Sequence, residues 1–241
     1  MKKITVIILL INLISCQNNK PKIVHNKNNI KMDSVKKELN INKADNSKIV
    51  DLPVHFENTK FLIHPIGYIN FPKSKGRLAK FESGRYYSGS YTISKNNRFQ
   101  ISGNMSNIKF QSIDTETTYV LTDKNILIKS ISLLNDYFKK TNTALFIYEV
   151  YDMDTNMDKI IDENDVETLY ISNQNGSDFT KLTKNYFGLI NWEVIIANNR
   201  LYFKSIEDHN NSGKFDKGDK FHTSYVNLKD KIKKPQKYIM L

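Results

Sequence analysis

Residues 169–183, LYISNQNGSDFTKLT, decide the fold, because an apolar run, an Asn-Gly turn and a closing Leu-Thr follow one another there. A related stretch, IKFQSIDTETTYVLT, occupies residues 108–122, and both ends align with the first stretch at an offset of 61 residues. Short β-branched and aromatic runs separated by turn residues are typical of β-hairpins. The repeat therefore predicts antiparallel strands.

Similar runs continue on both sides of this repeat, between residues 91 and 226. The turn residues expected between them are Asn96-Asn97, Gly103-Asn104, Asn175-Gly176 and Asn198-Asn199. One helical candidate, Ser132–Lys140, interrupts the series. We predict an all-β fold of antiparallel meander repeats, arranged as a partial propeller, a sandwich or a stack of meanders.

The fifteen residues 169–183 also resemble the repeats of TolB-type β-propellers, which have a strand, a Gly-containing turn and a terminal Leu-Thr. This resemblance implies propeller-like blades. Room for only about three units exists between residues 85 and 241, whereas propellers have about four or more blades. The resemblance therefore implies a partial, propeller-like arrangement.

Two acidic stretches follow similar strand runs at an offset of 54 residues: DTNMDKIIDEND at 154–165 and DHNNSGKFDKGD at 208–219. Both resemble the twelve-residue calcium loop of EF-hands and dockerins, which presents oxygens at positions 1, 3, 5, 7, 9 and 12 to a cation that prefers oxygen ligands. The resemblance implies two calcium sites. The implied ligands are Asp154, Asn156, Asp158, the carbonyl of Ile160, Asp162 and Asp165 in the first loop, and Asp208, Asn210, Ser212, the carbonyl of Lys214, Asp216 and Asp219 in the second.

The loops differ at position 6, which should be glycine for a sharp turn. Gly213 fits, whereas a left-handed backbone at Lys159 costs about 1 kcal/mol. Position 8 is apolar in both loops, Ile161 and Phe215, and both loops end in Asp, as dockerin-like loops do. Because the flanking segments have strand rather than helical character, we predict calcium loops between strands. The alternative is ordinary turns in an Asn-rich chain.

The N-terminus, MKKITVIILLINLISC, has a positive start at Lys2 and Lys3, an apolar run and the closing residues Leu13-Ile14-Ser15-Cys16. It resembles the lipobox of bacterial lipoproteins, which implies a lipid on Cys16 and membrane anchoring. By resemblance to lipoprotein sorting in two-membrane bacteria, a residue other than Asp after the cysteine, here Gln17, permits transfer to the outer membrane. The alternative is an ordinary signal with a chance cysteine. The expected organisation is a signal at 1–16, a flexible tether at 17–53, and a β-rich domain at 54–241.

Other features exclude several functions. The net charge of +11 comes from 36 Lys+Arg against 25 Asp+Glu, but the lysines are dispersed, so we expect no nucleic-acid partner. No phosphate-binding, zinc-protease or nucleophile-elbow motif is present, so we expect no enzyme. His55, His64 and His222 have no spaced partner, which favours structural roles.

The chain as a whole resembles calcium-loop lipoproteins of Bacteroidota-type bacteria. We expect a non-enzymatic binding or scaffold module on the cell envelope, with an unknown protein or glycan partner. The alternative is an enzyme or accessory protein of polysaccharide use. A cleft would then gather carboxylates with an exposed aromatic residue, and the candidates are Glu82, Asp114, Glu116, Glu193, Trp192 and Tyr86.

Overall fold

The computed structural model describes residues 22–25, 46–70 and 93–239. The signal segment, Cys16, Glu82 and Tyr86 lie outside the described residues. The strands are β1 (Asn46–Val50), β2 (Val54–His55), β3 (Phe61–Asn70), β4 (Ile93–Asn97), β5 (Gln100–Met105), β6 (Asn107–Ser112), β7 (Thr118–Val120), β8 (Leu127–Leu133), β9 (Leu145–Tyr151), β10 (Glu167–Asn173), β11 (Thr180–Lys181), β12 (Phe187–Ile195), β13 (Arg200–Glu207), β14 (Lys220–Asn227) and β15 (Gln236–Lys237).

These strands form three antiparallel sheets. The first has the order β1-β3-β6-β7 with β2 paired to β3, the second β11-β10-β9-β8-β5-β4, and the third β12-β13-β14-β15. One α-helix, α1 (Asn135–Thr141), connects β8 to β9, and a short 3-10 helix, Ile196–Asn198, precedes β13. The predicted all-β antiparallel fold is confirmed, and the described strands do not close into a barrel.

The second sheet lies between the other two because both of its faces are apolar. Along β9, Phe146 and Tyr148 belong to a core shared with the first sheet, while Leu145 and Ile147 belong to a core shared with the third. Burial on both faces explains why β9 is apolar at every position except Glu149 rather than alternating. The molecule is therefore a stack of three sheets with two hydrophobic cores.

The 61-residue repeat corresponds to two hairpins with the same register. Lys109 pairs with Val120 in the first hairpin, and Tyr170 pairs with Lys181 in the second. After each hairpin the Leu amide donates to the equivalent carbonyl, from Leu121 to Ile108 and from Leu182 to Leu169. The predicted Asn175-Gly176 turn is confirmed, with Gly176 at φ +82°.

Three local predictions are wrong. The helix begins at Asn135, not at Ser132, because Ser132 pairs with both Gln100 and Ile147 inside the second sheet. Gly103-Asn104 is an irregularity within β5, where the pairing with β8 shifts between Ser102 and Met105. Asn96-Asn97 closes β4, and the turn is formed by the next two residues.

The predicted tether contains structured residues. β1 pairs with β3 from Asn46 to Val50, so the folded body begins before Pro53. Residues 22–25 also contact the body, and the residues that they contact lie far away in the sequence. Both segments are too short to show a periodic apolar pattern, and their partners are distant in the chain.

Candidate calcium site

The two acidic loops occupy equivalent places in the fold. The first connects β9 to β10, and the second connects β13 to β14. Each therefore closes an antiparallel hairpin, one in the second sheet and one in the third. The prediction that the loops lie between strands is confirmed.

The carboxylate at position 1 organises the first half of each loop. Asp154 accepts the amides of positions 5 and 6 at 3.1 and 2.8 Å. Asp208 accepts the amides of the same two positions at 3.0 and 2.8 Å. The Asn at position 3 also accepts the position 5 amide in both loops, at 2.9 and 2.8 Å.

The carboxylate at position 12 organises the second half. Asp165 accepts the amides of positions 2 and 9 at 2.7 and 3.0 Å. Asp219 accepts the amides of positions 2 and 9 at 3.0 and 2.8 Å. The contacts of positions 5 and 9 are also the same in both loops. In each loop, the side-chain oxygen at these positions accepts a hydrogen bond from the amide two residues later. Two unrelated turns would not share every one of these contacts.

The backbone repeats at positions 4 and 6, which have positive φ in both loops. Position 6 has φ +71° at Lys159 and +79° at Gly213, and position 4 has φ +60° at Met157 and +56° at Asn211. Lys159 therefore adopts the strained conformation that the sequence predicts for it. The position 8 side chains pack inward to different extents, since Ile161 is buried whereas Phe215 is half-buried against Gly188.

Three loop carboxylates are buried: Asp165, Asp208 and Asp219. Burial raises the pKa of Asp165, although the amides of Asp162, Thr155 and Asn156 oppose the shift. Burial also opposes ionisation of Asp208, but the hydrogen bonds from His25 and from the loop amides outweigh it and lower its pKa.

Within the described ranges, no Lys or Arg forms an ion pair with any of the seven Asp side chains of the two loops. Asp152, just before the first loop, is different, since Lys181 lies 2.7 Å from it and Tyr170 donates to it. No three His, Cys, Asp or Glu side chains in residues 22–25, 46–70 and 93–239 are gathered as a metal cluster. The candidate ligand sets instead mix carboxylates with Asn, Ser and main-chain oxygens.

A segment that the sequence did not predict as structured joins the two loops. This segment, Lys22–His25, donates its Lys22 and Ile23 amides to the Gly213 carbonyl of the second loop at 2.8 and 3.2 Å. Its Val24 amide donates to the Thr155 carbonyl of the first loop at 2.8 Å. We call these four residues the strap. The sequence gives no sign of these contacts, because the strap lies about 130 residues or more from either loop.

The carboxylates considered for saccharide chemistry are not gathered among the described residues. Asp114 and Glu116 are exposed in the turn after β6, and Glu193 is exposed on β12. Trp192 is half-buried against the core between the second and third sheets, and its indole N–H donates to Glu149 at 3.1 Å. It also lines a groove of about 560 Å³ between the second and third sheets; the other lining residues are Phe99, Gln100, Ser132, Leu133, Asn135, Asp136 and Lys139.

The histidines of the body have local partners. His55 contacts the carbonyl of Thr59, His64 contacts Gln111, and His222 contacts Glu207 at 2.7 Å. The structural roles of these three histidines stay a prediction.

A group of aromatic residues on the third sheet escaped sequence reasoning. Arg200 lies 4.0 Å from the ring centre of Tyr225, and Tyr202 and Tyr238 pack beside it. The sequence could have predicted the position of Tyr202, because successive strand residues point to opposite faces. Tyr202 therefore lies on the face opposite to the buried Leu201 and Phe203.

No protein-family model and no curated protein sequence matches the chain. No helix in the part of the chain that the structure describes has the length and apolar character needed to cross a bilayer.

Proposed function

We propose that this protein binds calcium at its two acidic loops and is a lipid-anchored, non-enzymatic binding or scaffold module of the cell envelope, at the outer membrane. The observation that carries the proposal is the equivalence of the two loops. Loops from different sheets share their amide–carboxylate contacts position by position, and that equivalence supports a common ligand.

Electrostatics explains why the ligand would be a cation. The first loop holds five carboxylates, of which four are implied ligands and the fifth is Glu163, and the second holds three. Like charges at such short separation repel, and burial strengthens the repulsion because it removes solvent screening. Among the described residues, no Lys or Arg pairs with the loop Asp side chains, and only Asp208 has a histidine beside it, His25. A bound cation would therefore neutralise them.

The residues present fit calcium by their chemistry. Asp, Asn and Ser side chains with one main-chain carbonyl provide hard oxygen ligands, and thiol or imidazole ligands are not part of either set. Bound calcium would supply positive charge and crosslink the two halves of each loop. The residues that would hold it are Asp154, Asn156, Asp158, Ile160, Asp162 and Asp165, and Asp208, Asn210, Ser212, Lys214, Asp216 and Asp219.

The test is the melting temperature of the full chain in excess EDTA and in several millimolar calcium. Affinity should be that of extracellular modules, on the order of 10⁻⁴ to 10⁻³ M. Calcium at about ten times its dissociation constant would then add roughly 1.4 kcal/mol per site, by mass action. Magnesium at the same concentration is the control. Equal melting temperatures in EDTA and calcium would show that the loops are only turns.

Paired variants separate the two sites. Asp208→Ala with Asp219→Ala should remove more of the calcium-dependent stabilisation than Asp154→Ala with Asp165→Ala. The reason is that Gly213 adopts its left-handed backbone without strain, whereas Lys159 does so at a cost of about 1 kcal/mol. The opposite ranking would mean that the additional carboxylate of the first loop outweighs the backbone strain.

A second candidate function, saccharide binding, is favoured by the groove beside Trp192. Its volume lies in the usual range for ligand sites, and it combines two aromatic side chains, Trp192 and Phe99, with several polar ones. Aromatic rings stack on the apolar face of a sugar, while amide and charged groups bond its hydroxyls. Only Asp136 contributes a carboxylate to the lining, which supports binding rather than hydrolysis.

Affinity electrophoresis with soluble polysaccharides tests this second candidate. Retardation should disappear in Trp192→Ala and weaken in Asn135→Ala, which changes the lining without removing core packing. If a glycan retards the wild type and both variants equally, it binds outside the groove beside Trp192. If no glycan retards the wild type, saccharide binding is refuted as a function.

A further inference from the structure

We propose that the strap couples the two calcium loops to the lipid anchor, so that loop occupancy sets the length of chain between the membrane and the folded body. This inference rests on the proposed calcium function and adds a consequence for the position of the body. It is carried by the contacts of Lys22–His25, which are independent of the contacts inside each loop.

The strap contacts both loops at once. In the first loop, Thr155 accepts the Val24 amide with its carbonyl and donates its hydroxyl to the Lys22 carbonyl at 2.6 Å. In the second loop, Gly213 accepts the Lys22 and Ile23 amides. The strap is therefore the element that joins a hairpin of the second sheet to a hairpin of the third.

These contacts involve the positions that each loop uses to shape itself. Gly213 is position 6 of the second loop, and its own amide donates to Asp208. The ring of His25 lies 2.7 Å from the same carboxylate. Thr155 is position 2 of the first loop, and its amide donates to Asp165. A loop that opens when its carboxylates repel would therefore lose its contacts with the strap as well.

The strap crosses the surface with Lys22 and His25 exposed, and one buried side chain fixes it to the body. Ile23 is only 2% exposed, although its neighbours in sequence are mostly polar. Burial of one isoleucine stabilises a contact by roughly 1.5–3 kcal/mol. The Lys22 side chain lies 3.5 Å from the carbonyls of Glu163 and Asp165, at the end of the first loop. We therefore expect the strap to be released when the two loops that hold it change conformation.

Chain length gives the consequence for the anchor. Six residue steps separate Cys16 from Lys22, and they reach at most about 22 Å. Thirty steps separate Cys16 from Asn46, the first residue of β1, and they reach at most about 105 Å. Docking of the strap therefore keeps the two loops close to the lipid, and release allows the body to move several times farther away.

Hydrogen exchange of the full, lipidated chain in vesicles tests the coupling. The amides of Lys22, Ile23 and Val24 should exchange at least about tenfold more slowly in millimolar calcium than in EDTA. Ile23→Asp should remove this protection in calcium and weaken calcium binding by about fivefold or more, a usual size for coupled sites. Ile113→Asp is the matched control, since Ile113 is 47% exposed, and it should change neither quantity.

The outcomes distinguish this inference from the proposed function. Calcium that stabilises the wild type without changing strap exchange would overturn the coupling and leave the calcium sites intact. If the protein binds no calcium, both the coupling and the proposed calcium function are overturned. If Ile23→Asp proves unfolded by circular dichroism, Ile23→Ala provides the same comparison. Unchanged calcium affinity and unchanged strap exchange in a folded Ile23→Ala variant would also refute the coupling.

Discussion

Replacing Gly176 by alanine should destabilise the protein by about 1–4.5 kcal/mol. Gly176 has φ +82°, where a Cβ costs about 1–2 kcal/mol. The added Cβ would lie 2.6 and 2.8 Å from two ring carbons of Phe110 and 3.4 Å from Leu121. Phe110 is fully buried, so its ring has no free space to enter, and overpacking of this kind costs about 1–3 kcal/mol. The lower entropy of the unfolded alanine chain offsets about 0.4–1 kcal/mol.

The assay is urea unfolding followed by circular dichroism, with the melting temperature as a second measure. A loss of about 1–4.5 kcal/mol corresponds to a decrease in melting temperature of roughly 2–18 °C for a domain of this size. The Phe110→Leu background is the control, because a smaller side chain relieves the contact. Gly176→Ala should cost about 1–2 kcal/mol less in that background, as expected for residues in contact. Strict additivity, or a loss below about 1 kcal/mol, would refute the packing argument.

Three further predictions concern separate parts of the molecule. Tyr148→Phe deletes a buried hydroxyl bonded to Ser172 at 2.7 Å, and should lower the free energy of unfolding by about 1 kcal/mol in urea titrations. Gly188→Ala places a Cβ 2.6 Å from the Phe215 ring, so calorimetry should detect weaker calcium binding at the second loop with the first unchanged. Cys16→Ala should yield protein that lacks labelled palmitate and leaves the membrane fraction, whereas equal retention of mutant and wild type would remove the lipid proposal.

Local sequence was sufficient for the features that depend on near neighbours. The spacing of Ile108 and Leu121, repeated at Leu169 and Leu182, predicted two hairpins, and both have the same register. Hairpin register follows from strand alternation and turn length, which are local properties. The position-by-position resemblance of the acidic loops likewise anticipated equivalent side-chain contacts, because each carboxylate bonds amides of its own loop.

Local signals failed where pairing with distant strands overrode them. Ser132 and Leu133 precede a helix and fit its pattern, but their pairing with Ile147 and Phe146 keeps them in β8. Gly103 is a turn-former, yet its pairing with Ile93 of β4 keeps it within β5, at the irregularity in the pairing with β8. In both cases the energy of a sheet interior exceeds the modest local preference.

The sequence by itself determined the strand repeats, the Asn-Gly turn and the two acidic loops, because these depend on residues a few positions apart. Only the tertiary structure decided that the loops share a partner and that this partner is Lys22–His25. The physical reason is that sheet stacking, which follows from burial of both faces of β9, places hairpins of two sheets beside each other. A four-residue segment with only two apolar side chains, Ile23 and Val24, is too short to show a periodic pattern. Its structure arises from Gly213 and Thr155, the residues that receive it.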